Sequence, residues 1–114
     1  MIYTAVALFA LAAIVGMVLL SYVLREKETP KGAAFAHGLL AVAGVILLVV
    51  YSLNQPGPVE SIVLFVIAAL GGLVLIIRDL TNKPVPKWLA VVHGLISVSG
   101  FIFLLIFAFT KMPQ

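Results

Sequence analysis

Two histidines, His37 and His93, are the only acid–base side chains deep inside the long apolar stretches of this 114-residue sequence. Imidazole changes charge near neutral pH and is the commonest side-chain metal ligand. Placing such a group in hydrocarbon is costly, so an ionisable residue there is a functional candidate by default. The two residues are 56 positions apart, and each lies six positions after a lysine, Lys31 and Lys87. Three chemistries suit the pair: axial ligation of an iron, proton transfer, or hydrogen bonding to a neighbouring helix.

The remaining residues exclude much else. Glu26, Glu28, Glu60 and Asp79 fall in connections or at helix ends, and the chain has no cysteine. Two histidines without carboxylate or thiolate make an incomplete zinc or copper site. The lack of cysteine also excludes disulfides and Cys-linked haem. No nucleophile–base pair, carboxylate pair or Gly-rich phosphate loop is present, which argues against hydrolase and nucleotide chemistry. The net charge is +3 with no basic face or aromatic platform, so nucleic acid is not a partner. Met17 is matched by Leu73 in a second copy described below, so it reads as core rather than ligand.

The elements that must position the histidines are membrane helices. The sequence is 64% hydrophobic and 10% charged, more apolar than a small soluble core can bury. Four apolar runs, 2–24, 33–53, 59–77 and 88–110, are each long enough to span a bilayer. The first has no preceding Lys or Arg and is too long for the core of a cleaved leader, so it reads as a span. Pro30, Pro58 and Pro86 stand at or just before helix starts, where a missing N–H is harmless. Connections 25–32 and 78–87 hold Arg25, Lys27, Lys31, Arg78, Lys83 and Lys87, against Lys111 alone elsewhere. The positive-inside rule then places both connections in the cytoplasm and both termini outside, as in a bacterial inner membrane. Trp88 beside Lys87 suits an interfacial anchor.

An offset of 56 residues aligns the sequence with itself without a gap. Lys27, Pro30 and Lys31 meet Lys83, Pro86 and Lys87, and His37 and Gly38 meet His93 and Gly94. Gly16 and Gly44 meet Gly72 and Gly100. Apolar matches arise by chance, but matched Lys, Pro, His and Gly do not. The repeats are 1–57 and 58–114, within one transmembrane domain, 1–114. Each holds two spans, so the copies are parallel and differ from the inverted repeats of many transporters. The expected fold is all-α: an integral membrane four-helix up-down bundle of two tandem parallel hairpins.

Parallel repeats put both histidines at one depth, roughly 9 Å from the basic end. Ala34, His37, Ala41, Gly44 and Leu48 form a heptad seam, as do Ala90, His93, Ser97, Gly100 and Leu104. Matching seams run through Ala5, Phe9, Ala12, Gly16, Leu19 and through Ser61, Phe65, Ala68, Gly72, Leu75. The second and fourth helices lie on a diagonal of about 11–14 Å, too wide for the imidazoles to hydrogen-bond directly. With slight expansion, that diagonal suits two imidazoles on opposite sides of one haem iron. Gly16, Gly72, Gly44, Gly100, Gly38 and Gly94 would leave room for the flat ligand, and Lys27, Lys31, Lys83 and Lys87 would meet its propionates.

With the histidines so placed, the chain resembles the small four-helix membrane b-type cytochromes of the cytochrome b561-like group. The resemblance covers the four spans and, residue by residue, His37 and His93. It implies haem b and electron transfer. Those cytochromes commonly hold two haems on four histidines, whereas this chain has two histidines and can ligate one. The expected function is electron transfer, as a cytochrome or a cytochrome subunit rather than a stand-alone enzyme. Its partners would be the lipid bilayer and a quinone, a redox protein or a larger membrane complex, with homo-oligomer formation left open. Two alternatives compete: a non-catalytic accessory subunit whose histidines hydrogen-bond to Ser97, Ser99 or backbone, and a small proton-coupled transporter.

Overall fold

A computed structural model describes residues 1–111, so positions 112–114 of the second repeat lie outside the described residues. The chain forms α1 (Ile2–Leu24), α2 (Lys31–Asn54), α3 (Val59–Leu80) and α4 (Lys87–Ile106), and α4 runs on into a π-helical turn, Phe107–Lys111. These are the four expected helices. Lys31, Gly32 and Asn54 join α2, and Arg78, Asp79 and Leu80 join α3. Hydropathy marks the membrane-spanning stretch, whereas backbone hydrogen bonding carries a helix past it into the polar end residues.

The helix ends repeat as the sequence does. Pro30 and Pro86 stand at the N-caps of α2 and α4, and their carbonyls accept from Ala34 and Ala90 N–H, each at 3.1 Å. The C-termini of α1 and α3 close by one device. Lys27 N–H donates to Tyr22 O and Lys83 N–H to Arg78 O, each at 2.9 Å. This six-to-one bond requires a left-handed residue just before it. Glu26 (φ 57°) and Asn82 (φ 60°) take that conformation, 56 positions apart. Non-glycine residues are uncommon there, and Asn tolerates it better than Glu.

Within each hairpin the packing is close: α1 lies along α2, and α3 along α4, with fewer contacts between hairpins. The bundle measures 46 × 19 × 19 Å, longer than the roughly 30 Å of hydrocarbon it must cross. All four helices are long and apolar enough to span, and most of each faces outward. Leu39 and Leu95, repeat equivalents, are exposed, as are Met17 and Leu73. In lipid this exposure has no hydrophobic penalty. Met17 is thus corrected from core to lipid face: it is 72% exposed, one position past the inward Gly16.

The seams point inward. Ala5, Phe9, Ala12, Leu48, Ser61, Phe65, Ala68, Ala90 and Leu104 are buried, with Gly44 and Gly100. Burial is uneven along the axis. Ile2, Ala5, Phe9, Leu48, Tyr51, Phe65, Leu104, Phe107 and Ala108 form one contiguous core in the half away from the basic connections. The histidines lie in the other half.

Candidate histidine site

His37 extends from α2 toward α1, where its Nδ1 lies 2.7 Å from the Ala12 carbonyl oxygen. His93 extends from α4 toward α3, and its Nδ1 lies 2.7 Å from the Ala68 carbonyl oxygen. The two bonds are repeat equivalents. A carbonyl only accepts, so Nδ1–H is the donor in each. In the neutral ring the lone pair then sits on Nε2. Metal-bound histidines commonly show the same arrangement, with the second nitrogen held by a carbonyl or carboxylate.

Each carbonyl also serves the helix ladder, in which the N–H of the residue four later donates to it. That residue is Gly16 in α1 and Gly72 in α3. A Cβ on Gly16 would lie 2.8 Å from His37 Cε1, and one on Gly72 would lie 3.0 Å from His93 Cε1. The imidazoles therefore rest directly on glycine backbone. Across the bundle the ring centres are 6.1 Å apart, with planes at 78°. The helices lie on a diagonal, and the side chains reach toward each other from both sides.

One heptad farther along, about 10 Å deeper, a second aromatic layer closes the axis. Phe9 and Phe65 stack at 3.9 Å with planes 5° apart. The Phe9 ring would meet a Cβ on Gly44 at 2.7 Å, and the Phe65 ring one on Gly100 at 3.1 Å. Four of the glycines expected to line a flat ligand thus receive rings of this chain: histidine at Gly16 and Gly72, phenylalanine at Gly44 and Gly100. Gly38 and Gly94 have open space where a Cβ would stand. Small residues on an inner face leave room, but the sequence does not say for which ring.

Polar groups join the hairpins at the basic end. Lys31 Nζ lies 2.7 Å from Asp79 Oδ1, and the Thr29 hydroxyl donates to Asp79 Oδ2 at 2.6 Å. Lys87 Nζ lies 3.2 Å from Glu26 Oε1. Two of the four lysines expected to meet propionates, Lys31 and Lys87, are therefore paired with an acid of the other hairpin. Between the first and third connections lies a cavity of about 340 Å³, lined by Val23, Glu26, Lys27, Thr29, Asp79 and Lys87 among others. Sequence reasoning missed Thr29 and Asp79, because the residue 56 before Asp79 is Val23 and no repeat flags it. It also missed the Ala12 and Ala68 carbonyls, since every residue carries one. Ser97 and Ser99 bond to carbonyls of their own helix, His93 and Leu95, and not to an imidazole ring.

Among the described residues no three His, Cys, Asp or Glu side chains converge on one point. Any metal held here would rest on the two imidazoles, with its remaining ligands supplied by a cofactor. No family model matches the chain, and no curated protein or solved structure is similar enough to match it.

Proposed function

We propose that this integral membrane protein is a one-haem b-type cytochrome or cytochrome subunit, in which the Nε2 atoms of His37 and His93 would hold the haem iron. The observation that carries this reading is the pair of Nδ1–H bonds to Ala12 and Ala68, which leaves both Nε2 atoms free at one depth. Haem held by two imidazoles would supply one-electron transfer rather than oxygen binding. The protein's own part is to orient the imidazoles and keep them in an apolar layer. The Phe9–Phe65 stack bounds that layer on one side, and the Lys31–Asp79 and Lys87–Glu26 pairs bound it on the other. The looser packing between hairpins supports a ligand seated between them, where the two histidines converge. Charge distribution supports basic connections in the cytoplasm and both termini outside, as in a bacterial inner membrane. Electrons would come from or pass to a quinone, a redox protein or a larger membrane complex.

Protein purified in detergent after expression with ample haem should show b-type absorption bands in a reduced-minus-oxidised spectrum. His37→Ala and His93→Ala should each abolish them. A folded, colourless wild-type protein would overturn the reading. That result would favour a non-catalytic accessory subunit, which draws support from the same geometry: both imidazoles are hydrogen-bonded within the chain, and rings of the chain occupy four of the expected glycine spaces.

A further inference from the structure

We infer that Gly16 and Gly72 are positioning residues that set the tautomer of His37 and His93, presenting Nε2 as the free nitrogen of each ring. Within the bundle this assignment stands on geometry alone; its use in ligation rests on the haem reading above. A carbonyl inside an α-helix already holds one N–H, and the side chain four residues later crowds its remaining lone pair. At Gly16 and Gly72 that side chain is missing. The imidazole occupies the vacated space, with its Cε1 2.8 Å from the Cβ position in the first hairpin and 3.0 Å in the second. In that seat Nδ1 lies 2.7 Å from Ala12 or Ala68 oxygen. The ring is the movable end of its side chain, so a methyl group at position 16 displaces it from the carbonyl, and one at position 72, with slightly more clearance, shifts it by less and loosens the bond. Freed from the carbonyl, the imidazole has no reason to keep its proton on Nδ1 and distributes between two tautomers. The glycine is thus coupled to the chemistry through the histidine, without touching a ligand itself.

Nitrogen-15 NMR of histidine side chains distinguishes Nδ1–H from Nε2–H and needs no haem. Cofactor-free, full-length protein with labelled histidine, in micelles at alkaline pH, carries only two such rings. The wild type should show both as Nδ1–H. Gly16→Ala should lose the pure Nδ1–H signature at His37 and keep it at His93, and Gly72→Ala should do the reverse to a smaller extent. Gly32→Ala, where a Cβ meets nothing within 4 Å, should change neither ring. Wild-type rings in the Nε2–H form would overturn the inference without any variant. So would Gly16→Ala and Gly72→Ala proteins that keep both rings wholly Nδ1–H. A colourless wild type with both rings as Nδ1–H would sink the haem reading and leave the glycine assignment standing.

Discussion

The two halves of the bundle, built from the same repeated helices, are held together differently. In the half away from the basic connections, the hairpins share a contiguous apolar core around Leu48, Leu104 and the stacked Phe9 and Phe65. In the basic half, the histidines are each tied to the neighbouring helix of their own hairpin, and ion pairs cross between hairpins at the rim. Dispersion and shape hold one half, whereas directional polar bonds hold the other. Within lipid, packing is a main source of helix association, because the surrounding tails are as apolar as leucine. The far half therefore carries most of the apolar packing, and the basic half most of the directional polar bonds between helices.

Truncations should separate the halves most sharply. Leu48 and Leu104 are fully buried in the far core, while Leu19 and Leu75 sit on the basic-half seams and are only half-buried. Leu48→Ala or Leu104→Ala should destabilise by about 2 kcal/mol or more, from packing lost around the cavity. Leu19→Ala or Leu75→Ala should cost less than half of that. Reversible unfolding in a graded detergent series measures both. Equal losses in the two halves would remove the asymmetry.

Much of this organisation is legible in the sequence, for definite reasons. Span length and apolar content fix the four helices. The three-four spacing through Ala5, Phe9, Ala12 and Gly16 fixes which face turns inward, and Ala5, Phe9 and Ala12 are indeed buried. The gapless offset fixes the common depth of the histidines, and the structure brings their rings within 6.1 Å. What stays hidden is what each inward group touches. A glycine records the absence of a side chain and not the identity of the ring that fills the space, so Gly44 gives no sign of Phe9. A backbone acceptor such as Ala12 O has no residue-type signature. The ion pairs stay hidden because the two copies differ there: Val23 corresponds to Asp79, and Asn82 to Glu26.

A smaller effect, of opposite sign, comes from where the repeats differ inside the far core. Ser61 is fully buried with no hydrogen-bond partner for its hydroxyl among the described residues, and its equivalent in the first repeat is Ala5, equally buried. An orphaned hydroxyl costs on the order of 1–3 kcal/mol relative to an apolar group of similar shape. Ser61→Ala should therefore stabilise the protein, by about 1 kcal/mol, and Ala5→Ser should destabilise it by a similar amount. The same detergent series reads both changes. A destabilised Ser61→Ala protein would mean that the hydroxyl has a partner in the membrane, and the far half would no longer be held by apolar packing alone.

The smallest effect belongs to the rim. Asp79 accepts from both Lys31 and Thr29 and its side chain is 17% exposed, whereas Glu26 meets Lys87 alone and is 77% exposed. Exposed ion pairs contribute about 0.2–1 kcal/mol and weaken as salt rises. Asp79→Asn removes the charge but keeps an oxygen for the Thr29 hydroxyl, so its loss should reach about 1 kcal/mol at low salt and shrink at high salt. Glu26→Gln should be near neutral in both, because water solvates the freed Lys87 at little cost. If Asp79→Asn is as costly as Leu48→Ala, the rim is a structural equal of the far core. The basic half would then be clamped as tightly as the half it was contrasted with, and the histidine layer would lie between two rigid ends.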